Sequence, residues 1–306
     1  MLIGPGNSGD YFKNKAEYRD DTYVQTFAEE LKPGHVVILK KGTKRIVAAG
    51  TIDKRQDSYH HFEVFGDVDG FSIQHGRFVT WHKLRKQRAL HRVLPRDRLC
   101  ECQDPTVQRM AEKIMSENKV EPKYPIPSPA RKVDDEELIH HLIEHGLSSA
   151  QSEDVVSAFR RVRRLGKWFS ENGESVSEHE TRTFLNIPLL LALGWPEQRL
   201  KIEWKSLDIA FFADNYTSKG EPELILESKR LDEPLMFAVD QAKKYALNFP
   251  NCTKLVVSNG IVYYLYEKNG RDWRFQAYLN LLDLRERHPY LPEVQGATAL
   301  LTKLLP

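Results

Sequence analysis

Short apolar runs separated by glycine-containing turns occupy residues 35–81. Runs of this length, bounded by turn residues, are typical of β-strands. The pattern predicts strands at residues 35–39, 45–52, 62–65 and 78–81. The first part of the chain, taken as residues 1–98, is therefore predicted to be a small β-rich domain.

The middle of the chain, residues 99–176, has apolar side chains at helical spacing, with prolines clustered between Pro122 and Pro129. This interval predicts a helical linker region. The apolar face of one helix comprises Val155, Phe159, Val162 and Phe169. A different face of the same helix carries Arg160, Arg163, Arg164 and Lys167. Contact with DNA phosphates and an ordinary solvated surface both explain such a basic face.

From Glu178 the pattern changes to helix, three strands, helix and strand. The first helix, at 178–193, is closed by the Gly-Trp-Pro sequence that follows it, which is a helix stop signal. Strands are then predicted at 202–204, 207–213 and 223–227, a helix at 238–247, and strands at 255–257 and 261–265. Residues 177–306 are therefore predicted to form an α/β domain, and the whole chain a multidomain protein with α/β and β-rich parts.

Composition narrows the class of protein by exclusion. The chain is 41% hydrophobic and 29% charged, as in globular proteins, and no apolar run is long enough to cross a bilayer. Its first residues lack the pattern of a secretory signal. The three cysteines have no spacing that indicates a disulfide framework or a zinc site. We expect a cytoplasmic protein that does not enter the membrane.

Positive charge is concentrated in the first third of the chain, although the net charge is only +2. Residues 1–98 contain eighteen Lys and Arg against twelve Asp and Glu, and seven of the basic residues lie between His82 and Arg98. Lys83, Arg85 and Arg88 belong to this run. Such density suits phosphate contact, which gives affinity for nucleic acid without sequence preference. A solvated basic face is the alternative explanation.

Three polar side chains in the third part have the order expected of a site that hydrolyses phosphodiesters. Glu227 and Lys229 are two residues apart on a predicted strand, so they point to the same face. Asp208 opens the preceding strand and would lie beside them if the two strands pair as a hairpin. Two acids can hold Mg²⁺, which retains several waters, and a lysine supplies positive charge to the phosphoryl oxygens. A Glu-x-Lys pair alone is usually an exposed charge pair.

The surrounding motifs strengthen this interpretation. They are Glu178-His179-Glu180-Thr181-Arg182, Gly194-Trp195, Gln241-x-x-x-Tyr245 and Ser258-Asn259-Gly260. With the strand acids, over about residues 176–285, they resemble the PD-(D/E)XK nuclease fold, in the branch similar to the nuclease domain of type I restriction enzyme motor subunits.

The resemblance implies a role for each matching residue. Asp208 and Glu227 would bind Mg²⁺, for which Mn²⁺ can substitute, and Lys229 would orient or activate the water and steady the phosphate. An acid of the first helix, Glu178 or Glu180, would support the metal site. Gln241 would contact DNA near the cut or brace the site.

The first part of the chain is similar to the PUA/EVE superfamily over about residues 1–95. The matching segments are 31–39, 48–52 and 75–81. This resemblance implies a β-barrel module that recognises a modified base by flipping it out of the duplex into an aromatic pocket. Tyr11, Tyr59 and Trp81 are candidate pocket rings. Packing in the core is the alternative role for each, because a small barrel needs buried aromatic side chains.

Together these features predict a modification-dependent endonuclease that serves restriction of invading DNA. Its partner would be double-stranded DNA with a modified base such as a modified cytosine, and its active form a homodimer, since one centre cuts one strand. The alternative is a nucleic-acid or nucleotide-binding signalling protein in which a nuclease-like scaffold is not catalytic.

Overall fold

The computed structural model describes residues 2–4, 10–54, 59–61, 75–90, 99–121, 130–171, 176–231, 233, 235–289 and 291–306. These residues form a mixed α/β protein with several sheets. The chain divides into two compact units: unit 1 comprises residues 1–67 and 71–126, and unit 2 comprises residues 68–70 and 127–306. The interval 99–176, predicted as a helical linker, is thus shared between the two units.

Unit 1 is built from short strands and one longer helix. Its elements are β1 (Leu2–Gly4), α1 (Thr22–Gln25), β2 (Val36–Lys41), β3 (Arg45–Ile52), β4 (Tyr59–His61), β5 (His75–Arg77), β6 (Val79–Ala89) and α2 (Pro105–Glu117). The strands form two antiparallel three-stranded sheets, ordered β1-β5-β4 and β2-β3-β6. No closed barrel is found among the described residues of unit 1. The predicted strand at 62–65 lies outside the described residues.

Helix α2 belongs to unit 1 because its apolar face packs on the second sheet. Ala111 and Ile114 are fully buried in one cluster with Ile46 and Ala49 of β3. The helix begins at a capped end, since Asp104 accepts a hydrogen bond from the backbone N of Thr106 and Pro105 occupies the first turn.

Unit 2 contains one large sheet and several helices. Its elements are α3 (Asp135–Glu144), α4 (Ser149–Glu171), α5 (Glu178–Glu180), α6 (Ile187–Ala192), β7 (Leu200–Trp204), β8 (Leu207–Phe211), β9 (Leu224–Ser228), α7 (Met236–Ala246), β10 (Lys254–Ser258), β11 (Val262–Asn269), β12 (Asp272–Asn280) and α8 (Ala297–Leu304). The six strands are ordered β12-β11-β10-β9-β8-β7. Only β9 and β10 pair in parallel, and α7 connects them and packs on both.

The amphipathic pattern of α4 is confirmed. Val155, Phe159 and Val162 are completely buried in the core of unit 2. On the basic face, Arg160 and Arg163 form ion pairs with Asp135 of α3. Part of that face therefore holds two helices together instead of remaining available to a ligand.

The predicted helix at 178–193 is present but not uniform. A π-helical segment, Thr181–Asn186, separates α5 from α6, and the helix ends before Gly194, whose φ is +96°. π-helical turns in α-helices are frequently found at functional sites. Here the π-helical segment carries two side chains, Arg182 and Asn186, that contact the strand acids or the residues beside them.

None of the helices in the described ranges is long and apolar enough to cross a bilayer. Cys100, Cys102 and Cys252 are free thiols, which fits the cysteine spacing.

Candidate active site

The strand acid Asp208 and the Glu-x-Lys sequence lie side by side on neighbouring strands. In the antiparallel pairing of β8 and β9, Ile209 faces Leu226, so the same register sets the next residues, Asp208 and Glu227, opposite each other. The Oδ2 atom of Asp208 accepts a hydrogen bond of 2.7 Å from the backbone N of Ser228, between Glu227 and Lys229. The hairpin pairing expected from the sequence is therefore confirmed.

Lys229 points to the same side of the sheet as the acids. Its Nζ atom donates a hydrogen bond of 2.9 Å to Oε1 of Glu227 and lies 3.7 Å from Oε2 of Glu178. Its backbone N donates to the carbonyl oxygen of Ser258 at the end of β10. The ammonium group thus stands between a strand acid and a helix acid.

Burial dominates the electrostatics of Glu227, whose side chain is only 3% exposed. Burial raises the pKa of Glu227 to about 7, although the hydrogen bond and charge of Lys229 act to lower it. The neighbouring charges of Asp208 and Glu178 raise it further. Burial lowers the pKa of Lys229, but its three acidic neighbours outweigh burial and raise it overall. Lys229 is therefore a charged donor at neutral pH and not a base.

The donor set fits a hard divalent cation. Glu227 is a buried carboxylate whose negative charge is incompletely balanced, and Asp208 contributes a second carboxylate beside it. Mg²⁺ needs only one or two carboxylates because it keeps several waters. Within the described residues, no three histidine, cysteine or carboxylate side chains form a ready set of metal ligands. Asp208 and Glu227 would hold the ion, with waters completing its coordination.

Glu178, and not Glu180, is the helix acid that faces the site. Glu180 is used in a capping box, in which its carboxylate accepts from the backbone N of Ser177 and its own backbone N donates to the Ser177 hydroxyl. These bonds lower the pKa of Glu180. Burial raises the pKa of Glu178, which lies against Lys229.

A buried polar chain fixes β9 to the π-helical segment and to β10. Asn186 Nδ2 donates to the Ser228 hydroxyl at 3.1 Å, and the Ser258 hydroxyl donates to Asn186 Oδ1 at 2.9 Å. The backbone N of Gly260 donates to the Ser258 hydroxyl. All of these polar groups are satisfied, so the chain holds the backbone on either side of Glu227 and Lys229 in place.

Gly260 is expected to tolerate no side chain. Its φ is +86°, and a Cβ atom there would lie 2.5 Å from the Cβ of Leu185. Because both the backbone conformation and the space are unfavourable, Gly260→Ala should lower the free energy of unfolding by about 3 kcal/mol. Urea denaturation of the two proteins measures this difference.

Gly270→Ala is the matched control. Gly270 also has a positive φ, +62°, but a Cβ atom there would meet nothing within 4 Å. Only the backbone cost of about 1 kcal/mol should appear. Equal losses for the two variants would show that the contact with Leu185 costs nothing.

Arg182 forms a second set of contacts with the strand acids. Its guanidinium, 5% exposed, donates from NH1 to Oδ1 of Asp208 at 2.5 Å and from NH2 to Oε1 of Glu203. The same groups border a cavity of about 290 Å³, whose lining includes Glu178, His179, Arg182, Glu203 and Asp208. This cavity is large enough for several waters or a phosphate group.

Gln241 does not reach the acids. It is exposed on α7, and its Nε2 atom donates to the hydroxyl of Tyr245 at 3.1 Å. The two residues contact each other as their four-residue spacing predicts. A role of Gln241 on DNA stays a prediction.

Two of the three candidate rings of unit 1, Tyr11 and Tyr59, are packed in the core. Tyr11 is 4% and Tyr59 8% exposed, and both belong to one apolar cluster with Tyr18 and Phe27. The hydroxyl of Tyr59 accepts a hydrogen bond from the backbone N of Tyr11. Among the described residues, these two rings therefore act as core side chains, which is the alternative role considered from the sequence.

The remaining candidates of unit 1 lie on β6. Trp81 is partly exposed and packs against the apolar cluster of Val37, Ile52 and Val79. Lys83 is exposed, whereas Arg88 pairs with Glu117 of α2 at 3.1 Å. The side chain of Arg85 lies outside the described residues. β6 extends to Ala89, beyond the predicted end at Trp81, so the first part of the basic run lies within the strand.

Three residues of the site received no role from the sequence. Arg182 stands in a recognised motif, but nothing in its spacing indicates a contact with Asp208. The positions of Glu203 and Asn186 depend on a hairpin register and on a π-helical turn. The capping box Ser177-x-x-Glu180 can be recognised in the sequence. It assigns Glu180 to the helix N-terminus and leaves Glu178 as the acid that faces the site.

Comparisons of the chain with protein-family models, with curated proteins and with solved structures found no match.

Proposed function

We propose that the chain is a divalent-metal-dependent DNA endonuclease with a PD-(D/E)XK-like cutting domain in unit 2. The observation that carries the proposal is the convergence of Asp208, Glu227 and Lys229. The two acids stand opposite each other on β8 and β9, and Lys229 Nζ lies 2.9 Å from Glu227. The order of helix, three strands, helix and parallel strand around them supports the same fold.

Each side chain has a distinct task in phosphodiester hydrolysis. Asp208 and Glu227 would hold Mg²⁺ or Mn²⁺, which when bound supplies Lewis-acid charge and a water of lowered pKa. Lys229, which stays protonated, would donate to a non-bridging phosphoryl oxygen and stabilise the charge that develops there. Glu178 would keep Lys229 in place from the helix side.

The proposed role of unit 1 is to select where the DNA is cut, by recognising a modified base such as a modified cytosine. Exposed Lys83 on β6 is suited to phosphate contact. The buried positions of Tyr11 and Tyr59 leave partly exposed Trp81 as the candidate ring of this set. Because one centre cuts one strand, cleavage of both strands would take a homodimer.

The test is cleavage of a defined duplex, with and without methylated cytosine, by the full chain in Mg²⁺. Wild-type protein should cut, chelation should stop it, and Asp208→Asn should be inactive because the ion loses one of its two carboxylates. Asp214→Asn is the matched control, since Asp214 is an exposed acid in the loop that follows β8; it should cut normally.

Three outcomes would count against separate parts of the proposal. Cleavage by Asp208→Asn at the wild-type rate would remove the assigned centre. Equal cutting of methylated and unmethylated DNA would remove the reader role but not the nuclease. Retention of DNA without any metal-dependent loss of substrate would favour the non-catalytic binding protein.

A further inference from the structure

Arg182 occupies the carboxylate that the proposed metal needs. Asp208 Oδ2 accepts from the backbone N of Ser228, and Asp208 Oδ1 accepts from Arg182 NH1 at 2.5 Å. Both oxygens of Asp208 are therefore engaged. A charge-assisted hydrogen bond of this kind is among the stronger ones in proteins. A divalent ion that binds Asp208 also has to approach a guanidinium that carries like charge.

Glu203 provides Arg182 with a second acceptor. In the β7–β8 hairpin, Ile202 faces Ile209, so the next residues, Glu203 and Asp208, stand across from each other. Like charges in that position repel, and one guanidinium bridges them.

The backbone at Glu203 has an uncommon conformation. Its φ is +52°, and Lys205 and Ser206 in the adjoining turn also have positive φ values, +48° and +67°. Positive φ is expected at the two central residues of a tight hairpin turn, but Glu203 lies outside that pair. Strained residues of this kind persist where surrounding contacts hold them, and they cluster at functional sites. The contact with Arg182 is such a contact.

The surroundings of Arg182 allow movement toward Glu203. The side chain of Glu203 is 65% exposed and, like Arg182 and Asp208, borders the cavity of about 290 Å³. The Nε atom of Arg182 is buried without an acceptor among the described residues. The guanidinium therefore has open space on one side and an incompletely used set of donors.

We infer that Arg182 is a displaceable counter-ion of Asp208: the guanidinium and the divalent ion compete for this carboxylate, and Glu203 retains the guanidinium when the ion enters. Arg182 is thus a positioning residue that keeps Asp208 oriented in the absence of metal. The inference rests on the proposed metal site and adds a control of metal occupancy to it.

The experiment measures binding of Mn²⁺ alone to the full chain, by calorimetry or by the electron paramagnetic resonance signal of free Mn²⁺. Arg182→Gln should bind Mn²⁺ roughly tenfold more tightly, because no charged donor has to leave Asp208. Arg182→Lys keeps the charge but cannot bridge two carboxylates. It should bind severalfold more tightly than wild type, whereas competition by charge alone predicts no change.

Removal of the second acceptor should have the opposite effect. Glu203→Gln should bind Mn²⁺ roughly fivefold more weakly, because among the described residues Asp208 is then the one carboxylate that pairs with the guanidinium. In the Arg182→Gln background, Glu203→Gln should change the affinity little, since nothing is left to retain. Glu233→Gln is the charge-matched control: the charge of Glu233 acts on Glu178, but it pairs with Arg230 instead of Arg182. Its affinity should stay within about twofold of wild type.

Every outcome decides the inference. The inference is overturned if Glu203→Gln has equal effects in the two backgrounds. It is also overturned if Arg182→Lys and Arg182→Gln bind Mn²⁺ with unchanged affinity. An absence of Mn²⁺ binding in all variants would overturn it and remove the metal site as well. Because the side chain of Glu203 is exposed, the Glu203→Gln variant should fold. Its affinity for Mn²⁺ therefore tests the inference even if the Arg182 variants do not fold. If the affinities follow the expected order but no variant cuts DNA, the exchange stands and the proposed nuclease function fails.

Discussion

Lys229→Met is expected to lower the rate of Mg²⁺-dependent DNA cleavage by roughly a thousandfold, the loss typical when one preorganised charged donor is removed. The ammonium is the only cation in hydrogen-bonding contact with Glu227 among the described residues. Its loss removes positive charge from the phosphate. It also raises the pKa of Glu227 further, because Lys229 acts to lower it, so that less of the ionised ligand is present at neutral pH.

Single-turnover cleavage of a labelled duplex measures the effect. Lys201→Met is the matched control, since Lys201 lies on β7 of the same sheet and its Nζ atom sits over the ring of Tyr216, 4.3 Å from the centroid. That variant should cut at the wild-type rate. Lys229→Arg should recover part of the activity, because it restores the charge with a different geometry. Wild-type cleavage by Lys229→Met would remove the lysine from the catalytic centre.

Glu227→Gln is expected to abolish cleavage and at the same time to stabilise the fold above neutral pH. The pKa of Glu227 is about 7 in the folded protein, against an ordinary value of 4.5. Between these two values the folded state holds more protons than the unfolded chain. The free energy of unfolding therefore falls as pH rises through this window, and at pH 8 the cost of the buried charge amounts to roughly 3 kcal/mol. Glutamine has no such cost.

Thermal unfolding at pH 4.5 and pH 8 tests the sign. The advantage of Glu227→Gln over wild type should be absent at pH 4.5 and largest at pH 8. Addition of Mg²⁺ should stabilise wild type but not the variant, because the ion binds only the folded protein that retains both acids.

Glu180→Gln is the control of opposite sign. The pKa of Glu180 is lowered by its bonds to Ser177. This substitution should therefore destabilise the protein at pH 8. The difference should shrink as pH falls below the ordinary pKa of a glutamate and vanish once pH passes below the lowered pKa of Glu180. If Glu227→Gln were no more stable than wild type at pH 8, burial of the charged Glu227 carboxylate would not destabilise the fold as stated.

The charged residues of the candidate site form two layers. Glu227 and Lys229 form the inner pair, which is largely buried, while Arg182 and Glu203 form an outer pair toward the cavity. Asp208 stands between the two layers. The cost of burying Glu227 without a metal ion is the kind of instability that functional sites retain, because the same arrangement binds the ligand.

The sequence predicted unit 2 well because its elements have clear local signals. The helix at 178–193 begins at a capping residue and ends before a glycine, and both ends are found. The strands around Asp208 and Glu227 appear within a few residues of their predicted bounds. β12 was missed, although its first residues alternate between polar and aromatic side chains, as Asp272, Trp273, Arg274 and Phe275 show.

The structure of unit 1 was predicted less well from the sequence. Burial of Tyr11 and Tyr59 depends on contacts between segments distant in the chain, such as the hydrogen bond from the backbone N of Tyr11 to the hydroxyl of Tyr59. The sequence around a tyrosine with polar neighbours does not show whether its ring packs in the core or stacks on a nucleic-acid base. The number of sheets and the absence of a closed barrel in the described residues likewise depend on which strand edges pair.

The sequence by itself determined most of the elements around the candidate site, and it placed two acids and a lysine on one strand pair, since capping, alternation and turn signals are local. Only the tertiary structure decided which charges are buried and which neighbours balance them. The contacts of Asp208 with Arg182 and of Lys229 with Glu178 join residues 26 and 51 positions apart. The pKa of a carboxylate depends on burial and on charges within a few ångströms, and no spacing along the chain specifies either.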